Sequence, residues 1–138
     1  MQNLQILKPL FAQVGLTFGV LMWLMLVRQL ATIRGLVKIS DFATSAGEGE
    51  PAWVLQVRRH HTNLFEWPVV FYVVCLVIFV TGNTDELMQR MAWGYVACRT
   101  LHALVHLTFN HVMTRFSCFL ISQVILIGMV WRLAERLF

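Results

Sequence analysis

Arg58-Arg59-His60-His61-Thr62-Asn63-Leu64-Phe65-Glu66 runs directly into Trp67-Pro68-Val69-Val70-Phe71-Tyr72-Val73-Val74-Cys75-Leu76-Val77-Ile78-Phe79-Val80, which holds no charged residue. Such a segment reads as a helix entering hydrocarbon, with Glu66 at its mouth. On a continuous helix Arg59, Asn63 and Glu66 fall at i, i+4 and i+7. That spacing stacks a cation, an amide and a carboxylate on one face, while His60 and His61 project elsewhere around the turn. Ionisable groups at membrane depth face a partner or a water-filled cavity, so this stripe is a candidate functional site.

The rest of the chain has the composition that such a reading needs. Of 138 residues, 58% are hydrophobic and 13% charged, and the mean hydropathy is +0.67. A spanning helix takes roughly 20 apolar residues, so four spans account for nearly the whole chain as a single domain: about 9–30, 63–80, 88–109 and 115–133. The net charge of +4 does not point to nucleic acid, because the basic residues lie beside apolar spans and not in one stripe with interleaved aromatics. Cys75, Cys98 and Cys118 are odd in number, lie in or near spans and have no paired spacing; no disulfide or zinc framework is implied. Lys8 precedes the first apolar run and the stronger basic cluster follows it, the reverse of a cleavable signal peptide, so the first span is expected to be retained.

In chain order, span one carries Gly15 and Gly19 at the spacing that lets another helix approach, or simply as ordinary membrane glycines. Ser40 to Pro51 is a small, polar loop. Trp53 is a candidate interfacial anchor, and Pro68 falls in the first turns of span two, where a missing N–H is tolerated or a kink opens the helix. Arg28, Arg34, Lys38, Arg58, Arg59 and Arg115 flank the first and third connections, against Lys8, Arg90, Arg132 and Arg136 on the other side. That asymmetry favours a cytoplasmic first loop with both termini opposite.

Span three places Arg99, His102, His106 and Asn110 on one face. A guanidinium cannot shed its proton to escape burial. Arg99 therefore needs an anion, and Glu66 is the carboxylate that the spans offer; the two are expected in one polar network. Plainer structural roles stand beside these readings: Arg58 as a positive flank, Asn63 and Glu66 as bundle-stabilising hydrogen-bond partners, Arg115 as an interfacial charge. His102 and His106 have the spacing of a metal pair but no acidic third ligand and no HExxH pattern. Buried, hydrogen-bonded histidines are expected there, with no metal; a haem between histidines of two helices is only weakly signalled. No Gly-rich phosphate loop, GxSxG elbow or paired catalytic carboxylates occur. What remains is a cationic, amide-bearing site near the cytoplasmic face, suited to an anionic or zwitterionic ligand meeting a lipophilic one.

Val54-Leu55-Gln56-Val57-Arg58-Arg59-His60-His61-Thr62-Asn63-Leu64-Phe65-Glu66 resembles the second-helix signature of the MAPEG family, the membrane-associated proteins of eicosanoid and glutathione metabolism, whose pattern reads approximately V-E-R-V-x-R-A-H-x-N-x-x-E. Arg99-Thr100-Leu101-His102 and the sixteen-residue step from Arg99 to Arg115 are similar to that family as well. The resemblance covers essentially the whole chain. It implies an all-α membrane protein, a left-handed four-helix bundle assembled as a homotrimer, with glutathione as co-substrate bound between neighbouring subunits near the cytoplasmic side. By motif position it assigns Arg59, Asn63 and Glu66 to glutathione's carboxylates and amine, and His61 to a position where the family has His or Gln. Arg34, or else Arg28, takes the place of the first-helix arginine. Arg99 takes that of the third-helix arginine, and Arg115 that of the arginine thought to stabilise the glutathione thiolate.

The implied activity is a transferase or peroxidase acting on lipophilic electrophiles or lipid hydroperoxides from the bilayer, a detoxification chemistry; the alternative is a non-catalytic trimeric lipid-binding or scaffold member. A free thiol has a pKa of about 8.5, and each unit of depression is worth about 1.4 kcal/mol; a guanidinium in a site screened from water is suited to supply one or two units. Departures from the family pattern are Leu55 and Gln56 for Glu-Arg, Trp67 for a tyrosine of some members, His106 for a glutathione-contacting tyrosine, and Phe116 where one prostaglandin-synthesising member has serine. They point away from leukotriene and prostaglandin synthases and towards an outlying bacterial inner-membrane member.

Overall fold

A computed structural model describes residues 2–38, 40 and 49–138. Most of the loop expected over Ser40 to Pro51, residues 41–48, lies outside the described residues. A 3-10 turn, Gln2–Ile6, leads into α1 (Leu7–Ile33); α2 (Ala52–Asn63), α3 (Trp67–Thr81), α4 (Glu86–Leu107) and α5 (Val112–Leu137) follow. No strand occurs among the described residues. With α2 and α3 counted as the two halves of one interrupted rod, the chain is the expected bundle of four helices.

Helix ends follow from local sequence. Gly35 sits at φ +68°, where its amide donates to Thr32 at 2.9 Å and the next amide, of Leu36, reaches Ala31 at 3.0 Å. The same closure ends α3 at Gly82, φ +73°; there Asn83 N–H reaches the Ile78 carbonyl at 3.1 Å. Both are Schellman ends, in which a left-handed residue turns two amides back onto orphan carbonyls. Asp85 caps α4 by accepting from Met88 N–H at 2.7 Å, and His111 caps α5 through Nδ1.

The break between α2 and α3 departs from the continuous helix implied by the i, i+4, i+7 stripe. Pro68 has no N–H to give to the carbonyl four residues earlier, and its ring crowds that turn. Leu64 to Glu66 therefore leave the α-helical ladder through short three-residue turns such as Phe65 N–H to Thr62 O, 3.0 Å, and Glu66 adopts φ −94°, ψ −100°. Helical structure also begins at Ala52, well before the entry expected at Asn63.

Burial is inverted relative to a water-soluble protein. Phe11, Phe18, Met22, Val73, Leu76 and Ile127 are exposed, whereas Arg99, His60 and Gln13 are fully buried. Among the described residues, three segments are long and apolar enough to cross a membrane: Asn3–Ile33, Ala52–Thr81 and Val112–Leu137. Together with this inversion they make the chain an integral membrane protein. The helix α4 has the length of a span, 22 residues, but Glu86, Arg90, Arg99, His102 and His106 lower its hydropathy. Lipid tails are as apolar as leucine, so the bundle is held by close packing and interior polar contacts.

Inside, one apolar cluster joins Leu10, Phe71, Ile78, Met88, Tyr95 and Met129, with the Phe71 and Tyr95 rings stacked at 4.3 Å. A second cluster joins Leu24, Val27, Ala31, Val54 and Val57 between α1 and α2. Along α4 the first cluster ends at Val96, and the buried positions after it include Arg99, His102 and His106 beside Ala103 and Val105. Close helix approach occurs at Gly94 and Gly128, where an added Cβ meets Ile125 Cδ1 at 3.5 Å and Met91 Cε at 2.9 Å. Around Gly15 and Gly19, the pair singled out by spacing, there is open space instead.

Candidate functional site

Arg99 is the centre of the polar layer. It is 0% exposed, its Nη2 donates to Asn63 Oδ1 at 2.6 Å, and its Cζ lies 5.9 Å from the Phe119 ring centroid. Asn63 Nδ2 in turn donates to Glu66 Oε2 at 3.2 Å. Arg99 and Glu66 thus share one network, as expected, with the Asn63 amide as the intermediary. An amide suits that task because it is acceptor and donor at once. The helix break turns Glu66 out to an exposed position while keeping it within reach of Asn63.

Arg115 enters from the first turn of α5. Its Nη1 donates to Asn110 Oδ1 at 2.8 Å and lies 3.4 Å from His106 Nε2. The tight α4–α5 connection permits this because Asn110 adopts φ +50°, a left-handed conformation that asparagine tolerates better than most side chains. The Arg115 backbone carbonyl accepts from His102 Nδ1 at 2.9 Å. His102 is therefore buried and hydrogen-bonded, as expected.

These groups open onto a cleft of about 370 Å³ between α2, α4 and α5. Arg59, Asn63, His106 and Arg115 supply its polar wall, and Val112, Phe116 and Phe119 its apolar one. An adjoining hollow of about 210 Å³ shares Arg59, His106 and Arg115 and extends to Gln56 and Asn110. The arrangement can bind an anionic, extended polar ligand against the guanidinium groups while an apolar molecule lies along α5.

Arg99, buried behind Asn63, and Glu66, exposed beside it, do not line the cleft themselves, and two further assigned residues lie elsewhere. Arg34 is exposed at the end of α1, and His61 packs its ring 5.1 Å from Phe65 without lining the cleft. Arg28, the second choice for the first-helix arginine, ties α1 to the start of α2: its Nη2 lies 3.4 Å from Glu50 Oε1, and Arg58 Nε lies 2.9 Å from Glu50 Oε2.

Sequence reading also missed two participants. His60 does not project away from the site: it is 0% exposed, with its ring 4.9 Å from that of His106 and 5.5 Å from that of His102. The signal was available in Val54, Val57, His60 and Leu64, which keep the three- and four-residue rhythm of a buried face. Gln56, noted only as a departure, donates through Nε2 to the His106 carbonyl. Among the described residues no group of three or more His, Cys, Asp or Glu side chains is disposed to hold a metal ion.

At the opposite end of the bundle, Asp85 receives Arg132 Nη2 at 2.6 Å and also Arg136 Nη2. Burial pushes the Asp85 carboxyl up, but the hydrogen bonds from Arg132 and Met88 and the charges of Arg132 and Arg136 outweigh it and hold it below its ordinary range. The latch joins the α3–α4 turn to the end of α5.

No curated protein matches the chain, and no solved structure does. The MAPEG family model matches residues 6–134, nearly all of the sequence; the chain belongs to the MAPEG family.

Proposed function

We propose that the chain is a glutathione-dependent transferase or peroxidase, with Arg59, Asn63 and Glu66 holding the tripeptide, Arg99 fixing the Asn63 amide from behind the cleft, and Arg115 facing the tripeptide's sulfur. The observation that carries this reading is the meeting of Arg59, Asn63, His106 and Arg115 on one cleft whose other wall is apolar. A guanidinium beside a thiol in a site screened from water favours the thiolate, which is the nucleophile. The apolar wall of α5 fits a lipophilic electrophile or lipid hydroperoxide arriving from the bilayer.

Arg34 and His61 stand off the cleft, and Arg28 binds the loop next to α2. A homotrimer in which glutathione lies between neighbouring subunits gives such residues a role on the far side of the ligand. In this reading the first loop is cytoplasmic and the protein resides in a bacterial inner membrane.

The test is calorimetric titration of glutathione into detergent-purified protein, repeated with Asn63→Ala and followed by an ultraviolet scan for thiolate. Binding that the substitution abolishes, with a thiolate band at neutral pH, supports the enzyme. No binding to the assembled protein overturns it and leaves the lipid-binding reading, which the Val112, Phe116 and Phe119 wall would then serve.

A further inference from the structure

Thiolate formation needs a destination for the thiol proton, and among the described residues no carboxylate lines the cleft. Arg115 cannot take it, because a guanidinium has no acceptor site. What stands beside Arg115 is His106 Nε2, 3.4 Å from Nη1. A ring nitrogen that faces an N–H presents its lone pair, so this atom is an acceptor. His106 lines both hollows and is 7% exposed, with its ring packed against those of His60 and His102.

Resting on the glutathione reading above, we propose that His106 Nε2 is the proton acceptor of the reaction, a catalytic base paired with Arg115. The S–H bond breaks, its electron pair stays on sulfur, and the proton bonds to His106 Nε2. The N–H of Arg115 that had faced the imidazole turns to the new thiolate. After sulfur has attacked the electrophilic carbon and the leaving group has departed with its bonding electrons, the imidazolium proton passes to the leaving group and the ring is neutral again. The arrangement is an imidazolium–thiolate pair, the device by which a histidine activates a neighbouring sulfur elsewhere in protein chemistry.

The groups that face His106 fit this cycle. Arg59 and His60 face it from α2, Arg99 and His102 from α4, and Arg115 from α5. His102 donates its Nδ1 proton to the Arg115 carbonyl, since a carbonyl can only accept. That bond ties the Arg115 backbone to the same helix that carries His106. The negative sulfur supplies the charge that balances a second proton among these cations.

The experiment counts protons. Glutathione is titrated into the assembled wild-type protein at neutral pH in buffers of different ionisation enthalpy, with S-methylglutathione, which has no thiol proton, as the reference and the thiolate band recorded alongside. The expected result is a thiolate band with almost no proton released to the medium, and His106→Gln shifting the count to nearly a full proton per thiolate. A thiolate band with a full proton released by the intact protein overturns the inference and leaves the glutathione reading standing. Absence of the band overturns that reading and the inference together. The wild-type count is decisive by itself, so a variant that does not fold leaves no gap.

Discussion

Arg99 and Asn63 meet at 2.6 Å, Nη2 to Oδ1, and this bond fastens a fully buried charge on α4 to the last residue of α2. A hydrogen bond to a charged group is worth roughly 1.5–3 kcal/mol, and leaving the charge unsatisfied costs its desolvation. Asn63→Ala should therefore lower stability by about 2–3 kcal/mol. Asn63→Asp retains the acceptor and adds an opposite charge, and should lose much less. Thermal unfolding in detergent, followed by circular dichroism, compares the two; equal losses would show that the contact does not hold the helices.

Arg115→Ala should reduce turnover more than binding. If its guanidinium supplies one or two units of thiol acidification, turnover falls by roughly 10- to 100-fold, with a smaller change in glutathione Kd. Glu66→Ala should do the reverse, weakening glutathione binding with turnover at saturation nearly kept. Steady-state kinetics with a generic electrophile separates the two patterns, and identical small effects would remove both roles.

Pro68→Ala restores an amide where α3 begins. The expected outcome is a rise in helical ellipticity as residues 64–66 rejoin the ladder. Glutathione affinity should drop several-fold, because Glu66 then swings away from Asn63. Unchanged affinity would mean that the break serves the bundle and not the ligand.

Asp85 gives a pH prediction at the other end of the molecule. Its folded pKa lies below the ordinary carboxylate value, which is about 3.9. The stability it contributes is therefore complete above that value and is lost as pH falls through the depressed one. Asp85→Ala removes the cap and both arginine contacts and should cost about 1–2 kcal/mol at neutral pH, with the difference from wild type shrinking below about pH 3.9. Melting curves across that range read the effect directly.

The bundle was legible because lipid imposes long apolar runs, and the cleft was legible wherever the motif residues sit on uninterrupted helix: Arg59, Asn63, His106 and Arg115, with Arg99 buried behind Asn63. Spacing misled where the ladder stops. A period of 3.6 assumes continuity, and Pro68 ends it within two residues of Glu66. His60 was read outward because it lies off the face that Arg59, Asn63 and Glu66 share, although its register with Val57 and Leu64 places it inside. The Arg28 contact with Glu50 depends on how the chain returns after α1, which no helical period encodes.

The interior position of Arg99 also governs how the protein is made. A helix carrying an arginine at its centre meets an insertion cost of roughly 2.5–3.5 kcal/mol for that residue alone, and α4 bears two histidines and Arg90 besides. Only four residues separate it from α5, which is apolar enough to insert unaided. The consequence expected is that α4 enters lipid most readily together with α5, as a hairpin that carries Arg99 inward to the Asn63 amide.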